Sequence, residues 1–237
     1  MVDILAIGVH PDDVELACSG TILKQISIGN SVGVIDLTGG ELGTRGNKDL
    51  RLQESENASR VLGVRFRINL HMRDGFFNVD EHHIKLLATQ IRLHKPKVVL
   101  ANAITDRHPD HGRASKLISE ACFYSGLSKI HLTFEGNELE AHRPVAVYHY
   151  IQDRYIHPDF VVDITDFMDL KLKSIMAFSS QFYSPESSEP DTPISTPDFI
   201  EFVKARARDF GRIIGVSYGE GFTVERALGV SNILYLY

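Results

Sequence analysis

The sequence predicts an α/β protein with a Rossmann-like, doubly wound and mostly parallel sheet that carries helices on both faces. Two observations lead to this fold class. Short, branched apolar runs alternate with segments whose apolar residues repeat at helical spacing, and this strand–helix–strand rhythm is typical of parallel sheets. The chain of 237 residues, 43% of them hydrophobic, suits a single domain over residues 1–237.

The first half of the chain supplies four strands and the helices between them. Buried strands are predicted at 3–9, 32–37, 66–70 and 97–102. Helical spacing is found at 19–29, 49–62 and 80–94. The helix over 49–62 has its apolar positions at Leu50, Leu52, Ala58, Val61 and Leu62, and Gly63 is its expected C-cap.

The second half continues the pattern and then changes composition. Helices are predicted at 113–125 and 165–178 and around Arg206 and Arg208, with strands at 145–151 and 160–164. Between Ser179 and Pro197 the chain is rich in Ser, Pro and acidic residues. This composition favours a variable surface loop, with a lid or a subunit contact as the alternatives.

Charge, hydropathy and cysteine content exclude several classes of protein. The net charge is −6 and no basic block is present, which argues against a nucleic-acid partner. No apolar run is long enough to span a bilayer and no signal peptide is recognisable, so we expect a cytoplasmic protein without a membrane partner. Cys18 and Cys122 lack CxxC spacing and are expected to be buried, reduced thiols.

Two similar polar loops follow strands that are distant in the sequence. The first strand ends in His10-Pro11-Asp12-Asp13, and the fourth leads to His108-Pro109-Asp110-His111. In the doubly wound strand order 3-2-1-4-5 the first and fourth strands are neighbours, and ligands bind beyond the carboxyl ends of such strands. Because buried polar groups need partners, we expect the two loops to form one site.

The residue types in these loops predict a metal site. His10 and Asp13 from the first loop and His111 from the second provide two nitrogen ligands and one oxygen ligand. Three such ligands and an open position are typical of catalytic zinc, whereas structural zinc usually has four protein ligands. Zn²⁺ is therefore the expected cofactor, and Fe²⁺ accepts the same ligands.

Three further loop residues are candidates for catalysis. Asp12 is the candidate general base, which takes a proton from zinc-activated water as it attacks. His108, as a protonated imidazole, is expected to stabilise the developing oxyanion and to protonate the leaving amine. Asp110 is expected to hold the other nitrogen of His108 and to favour its charged form. Helix N-capping is the alternative role for both aspartates.

The paired loops resemble the LmbE-like, or PIG-L, family of zinc-dependent N-acetylglucosaminyl deacetylases. The resemblance extends over nearly the whole chain and includes LTGGELGTRG, the following LRLQESENASRVLGV, Gln181-Phe182 and the terminal YGEGF. It implies the same metal ligands, with Asp12 as base and His108 at the oxyanion. It also implies that Arg51 holds the substrate, with an ordinary helix residue paired to Glu54 as the alternative.

The resemblance is strongest to the bacillithiol branch, whose members deacetylate N-acetylglucosaminyl-malate. Asp106 stands where some relatives have a tyrosine, which makes the mycothiol-type enzymes a poorer match. Relatives are often multimeric, so a homo-oligomer acting on a small-molecule conjugate is implied.

Three alternatives remain open from the sequence. The first is a deacetylase or amidase of another conjugate, of the mycothiol or chito-oligosaccharide type. The second is a Rossmann-type nucleotide-binding module, although Asp12 and Asp13 would repel phosphates in the first turn. The third is a non-catalytic metal-binding protein, in which Asp12 would have no evident purpose.

Overall fold

The computed structural model describes residues 1–186 and 188–235. Within them, strands and helices alternate along the first half of the chain. In chain order the elements are β1 (Ile4–Gly8), α1 (Asp13–Ser27), β2 (Val32–Thr38), α2 (Lys48–Leu62), β3 (Arg67–Met72), α3 (Glu81–His94), β4 (Val98–Ala101), α4 (Pro109–Ser125), β5 (Thr133–Phe134), β6 (Asn137–Glu138), β7 (Ala146–Tyr150), β8 (Phe160–Asp163), α5 (Met168–Met176), α6 (Phe199–Ile213) and β9 (Gly219–Val224), with 3₁₀ turns at Thr165–Phe167 and Ile233–Tyr235.

The main sheet has the order β3-β2-β1-β4-β7-β9-β8. The pairs from β3 to β7 are parallel, and β9 lies antiparallel between β7 and β8. Ile4 of β1 is level with Val98 of β4, so the carboxyl ends of these two strands are adjacent. The predicted fold class and the predicted adjacency of the first and fourth strands are confirmed.

Helices cover both faces of the sheet, and β1 is therefore buried at every position. Its Leu5 and Ile7 pack into a cluster with residues of α3 and α4, while Ile4 and Ala6 pack into a second cluster with residues of α1. A third cluster joins α5 and α6. Cys18 and Cys122 are buried free thiols, as predicted.

Both helices that follow the predicted site loops begin earlier than the apolar spacing indicates. α1 begins at Asp13 rather than at residue 19, and α4 begins at Pro109 rather than at 113. Polar side chains occupy the first turn of each helix and hide its periodicity. Proline suits the first turn of α4 because its missing N–H would have no partner there.

The buried face of α2 differs in part from the predicted one: Ala58 and Leu62 are buried as predicted, but the leucines near the start of the helix are not. Leu50 and Leu52 are 38% and 49% exposed, whereas Arg51 and Glu54 are buried. Gly63 does end the helix in the left-handed region, at φ 74°. The start of α2 therefore has polar side chains on its buried face, and the spacing of apolar residues could not predict this.

Some predicted elements differ in extent, and some were missed. The helix predicted at 165–178 consists of the 3₁₀ turn Thr165–Phe167 and then α5. Strand β9 was not predicted, because its sequence GEGFTV begins with two glycines around a glutamate. The expected 1–237 domain and 179–197 loop include residues 187, 236 and 237, which lie outside the described part. None of the described helices has both the length and the apolar character needed to cross a membrane.

Candidate active site

A cavity of about 270 Å³ opens at the carboxyl ends of β1 and β4. Its walls come from both HPD loops, the Gly-rich loop after β2, the start of α2 and residues 192–194. Six of the seven side chains predicted to form the site line it: His10, Asp12, Asp13, Arg51, His108 and His111.

The carboxylate of Asp13 lies between the two imidazoles predicted to be metal ligands. Its Oδ2 is 3.8 Å from His10 Nδ1, and its Oδ1 is 3.1 Å from His111 Nε2. Asn102 Nδ2 donates to Oδ2 and Gln152 Nε2 to Oδ1, at 3.0 and 3.1 Å. Burial alone would raise the pKa of Asp13, but the charge and hydrogen bond of His111, together with the charge and backbone N–H of His10, hold it well below its usual range. Asp13 is therefore a fixed anion.

The ring of His111 is oriented by a second carboxylate. Asp106 Oδ2 is 2.5 Å from His111 Nδ1, and Asp106 Oδ1 accepts a hydrogen bond from the backbone N–H of Arg154. Burial would lower the pKa of His111, but Asp13 and Asp106 together raise it to about 10. With Nδ1 engaged by Asp106, Nε2 is the nitrogen that faces Asp13.

His10 contacts a residue that sequence reasoning missed. Its Nε2 lies 3.0 Å from Asp74 Oδ1, and Asp74 Oδ2 accepts from the backbone N–H of Leu42. Burial would raise the pKa of Asp74, but the His10 contact lowers it. Asp74 follows β3, so its place at a strand end was the available signal. The three histidines of the site, His10, His108 and His111, each place one ring nitrogen within 4.8 Å of a ring nitrogen of the other two.

Asp12 is a buried carboxylate held in a strained backbone conformation. Its φ of 131° is in a region that favours glycine, and such strain costs about 1–3 kcal/mol and is common at functional sites. Burial raises the pKa of Asp12 to about 7, against the opposing charge of Arg51, whose Nη2 is 3.1 Å away. A base with a pKa near neutrality is suited to proton transfer.

Arg51 is not the solvated helix residue of the alternative prediction. It is buried, and besides Asp12 its guanidinium donates to the backbone carbonyls of Gly40 and Pro11, at 3.2 and 2.8 Å. Glu54 does not serve as its partner: that carboxylate accepts hydrogen bonds from Ser179 and Ser180 instead. The alternative expectation, an ordinary helix residue paired with Glu54, is therefore wrong.

The predicted contact between the Asp110 carboxylate and His108 is also wrong. Asp110 Oδ2 accepts from Gly75 N–H at 2.9 Å and Oδ1 accepts from Arg113 at 2.6 Å. It is the backbone N–H of Asp110 that donates to His108 Nδ1, at 3.3 Å, because His108 caps α4. Burial, with the charges of His10 and His111, lowers the pKa of His108. The neutral ring then carries its proton on Nε2.

Asn102 and Gln152 were missed as well. They follow β4 and β7, they hydrogen-bond each other at 3.0 Å, and both donate to Asp13. A single amide after a strand carries no motif, and only its place at the sheet edge could have indicated it. Gln181, noted in the sequence as part of the resemblance, lines the cavity and donates to the carbonyl of Arg45.

Comparison with known proteins gives concordant matches. The family described as PIG-L, GlcNAc-PI de-N-acetylase, matches residues 5–122. Diacetylchitobiose deacetylase from Thermococcus kodakarensis is 30% identical, over 92% of this chain and 81% of the relative. The structure of the conserved protein TT1542 from Thermus thermophilus superposes with a TM-score of 0.86 at 35% identity, covering 98% of both chains. N,N'-diacetylchitobiose deacetylase from Pyrococcus horikoshii gives a TM-score of 0.77 at 29% identity, over 93% of this chain and 82% of that one.

Proposed function

The chain belongs to the PIG-L family of GlcNAc-PI de-N-acetylases, and we propose that it hydrolyses the acetamido group of a small N-acetylglucosamine conjugate. The observation that carries the proposal is the convergence of His10, Asp13 and His111 beside a second, strained carboxylate, Asp12. A purely metal-binding protein has no need of that fourth group. A phosphate-binding module is opposed by the same two buried carboxylates.

His10, Asp13 and His111 are the residues that we propose hold a divalent cation. The donor set fits Zn²⁺ or Fe²⁺, because it combines two imidazoles with a carboxylate that is ionised at every working pH. We leave His108 out of the set, although its ring lies near the other two, because its Nδ1 accepts from the backbone N–H of Asp110 and its Nε2 is the proposed donor to the substrate. When bound, the cation supplies Lewis acidity, which lowers the pKa of water and polarises an amide carbonyl.

Asp12 is the proposed general base. Its carboxylate accepts the proton that the attacking water loses, and the same proton then goes to the amine as the carbon–nitrogen bond breaks. The products are acetate and a free amine. Arg51 keeps the carboxylate in place through the bond to Oδ2.

His108 is proposed to stabilise the oxyanion as a neutral donor. Its Nε2–H donates to the acetamido oxygen as negative charge develops there. This replaces the protonated imidazole expected from the sequence. Asp110 then has a positioning role, since its backbone N–H fixes the tautomer of His108 and its carboxylate ties α4 to Gly75.

For the conjugate itself we propose N-acetylglucosaminyl-malate, as in bacillithiol biosynthesis. Arg51 lines the cavity, and its hydrogen bonds to Gly40, Pro11 and Asp12 use three of the five guanidinium N–H donors, so donors remain for a carboxylate or hydroxyl group. A chito-oligosaccharide is the second candidate, because two similar proteins are named as diacetylchitobiose deacetylases.

Amine release from a substrate panel tests the proposal. N-acetylglucosaminyl-malate, N-acetylglucosamine and diacetylchitobiose are compared with and without chelator. We expect chelator-sensitive release, fastest for the malate conjugate. Arg51→Lys should reduce kcat/KM for the malate conjugate more than for N-acetylglucosamine. Hydrolysis of none of the three by metal-loaded protein would refute the proposed function.

We also propose that residues 1–237 act as one domain within a homo-oligomer. Limited proteolysis that leaves one fragment, and light scattering that gives a multiple of the 26.5 kDa chain mass, are the expected results.

A further inference from the structure

A second cavity, of about 90 Å³, adjoins the active-site cavity. The two share wall residues, including the carboxylate and imidazole of the proposed metal site. The shared residues are Asp13, Leu16, Arg107, His111 and Ile194. The second cavity therefore begins beside the reacting centre and extends away from it, between α1, α6 and the start of β9.

The walls of the second cavity are mainly apolar. Helix α6 supplies the largest share of them, and α1 contributes Leu16 and Ala17. The α6 residues are Phe199, Phe202, Val203, Arg206, Ala207 and Phe210. Such a surface favours an apolar occupant, because removing apolar surface from water is favourable.

The charged side chains on these walls already have partners. Lys171 pairs with Glu220 at 2.7 Å, and Arg107 pairs with Asp153 at 3.1 Å. Arg206 donates to the backbone carbonyl of Asp153. An anionic occupant would gain little from cations that are already engaged.

We propose that this cavity holds the acyl chain of the substrate, and that the enzyme hydrolyses N-acyl amides with linear chains longer than acetyl. The inference rests on the proposed function, because it assigns the acyl side of the same amide. The reaction is unchanged: water adds to the amide carbon, the carbon–nitrogen bond breaks, and a carboxylate and an amine are released. The cavity volume of about 90 Å³ is several times the roughly 10–15 Å³ that one water molecule needs. The cavity therefore has room for more than the single methyl group of an acetyl substrate.

The size of the effect follows from methylene burial. Each CH₂ moved from water to an apolar wall contributes about a fourfold gain in binding. N-propionyl and N-butyryl substrates are therefore expected to have kcat/KM values at least equal to that of the N-acetyl substrate. A pocket closed behind the acetyl methyl group would instead reject them.

The test compares N-acetyl, N-propionyl and N-butyryl glucosamine with metal-loaded wild-type protein and two variants. Ala207→Leu fills the cavity from the buried side of α6, and Ala205→Leu makes the same change on its exposed side. The ratio of kcat/KM for butyryl to that for acetyl is expected to be about one or higher in the wild type. It should fall at least tenfold in Ala207→Leu and stay unchanged in Ala205→Leu. Val203→Ile should lower it in the same direction, by less, if Ala207→Leu does not fold.

The outcomes separate this inference from the proposed function. A wild-type ratio clearly below one alongside normal acetyl hydrolysis overturns the acyl cavity and leaves the deacetylase intact. A ratio that Ala207→Leu and Val203→Ile both leave unchanged also overturns it. Loss of hydrolysis of every N-acyl substrate overturns both.

Discussion

Replacing the strained carboxylate at the end of β1 should raise the stability of the protein while removing its activity. Asp12→Asn keeps the shape of the side chain and abolishes its charge. As the proposed base, Asp12 should contribute about 10²–10⁴-fold to the rate. Bound metal should be unchanged, because Asp13 and the two histidines remain.

The stability gain follows from the pKa of Asp12, which burial raises from 3.8 to about 7. Between these two values the folded protein binds a proton that the unfolded chain does not, so the free energy of unfolding falls as pH rises through the window. An asparagine side chain resembles the protonated aspartate and does not ionise, so the variant does not lose this free energy of unfolding as the pH rises. At about 1.4 kcal/mol for each pH unit, the variant should exceed the metal-free wild type by about 2 kcal/mol at pH 5 and about 4 kcal/mol at pH 8.

Urea denaturation of chelator-treated protein at pH 5 and pH 8 measures both differences. Asp209→Asn, on the exposed side of α6, is the matched control and should show no pH-dependent gap. The reasoning is refuted if Asp12→Asn is no more stable than the wild type at pH 8, or if the gap is the same at both pH values.

Two further substitutions test the supports of the site. Asp106→Asn should weaken metal affinity by about 10–100-fold in competition with a chelator, because a carboxylate behind a ligating histidine fixes its orientation; unchanged affinity would deny Asp106 that role toward His111. Gly40→Ala should lower kcat/KM at least tenfold, because Gly40 has φ 64° and an added Cβ would lie 2.0 Å from Arg51 Nη1. Gly29→Ala, at φ 92° with nothing within 4 Å, should cost only stability, about 1–2 kcal/mol, so equal activity losses in both would argue against displacement of Arg51.

The loops that carry the site could be located from the sequence because each is a compact motif at the end of an apolar strand. Parallel pairing then brings distant loops to one edge, as for β1 and β4. The residues that bind the site side chains but were not predicted are isolated polar residues. Asp74, Asn102 and Gln152 have no sequence spacing that distinguishes them from ordinary loop residues. Their role depends on which side chain each one meets, and only the fold decides that.

The same limit explains the errors around α2 and His108. Hydrophobic periodicity correctly assigns the later part of α2, with Leu62, to the core. The start of the helix faces a polar site and buries Arg51 and Glu54 instead of the neighbouring leucines. The ring of His108 was expected to meet the carboxylate of a residue close to it in the chain. The first turn of a helix has backbone N–H groups without intrahelical partners. One of these, that of Asp110, donates to the ring of His108 in place of the carboxylate contact.

Arg51 and Glu54 lie one turn apart on α2, and each binds a different segment of the chain near the active site. Arg51 donates hydrogen bonds to Gly40 and Asp12. Glu54 accepts hydrogen bonds from Ser179 and Ser180, at the start of the segment 179–197. Helix α2 thus connects Asp12, the proposed proton acceptor, to the segment that begins at Ser179. A variant in which this segment is exchanged to alter specificity should retain Ser180. Loss of the hydrogen bonds between Ser180 and Glu54 would displace α2, and with it the Arg51 that holds Asp12, and would thereby reduce turnover.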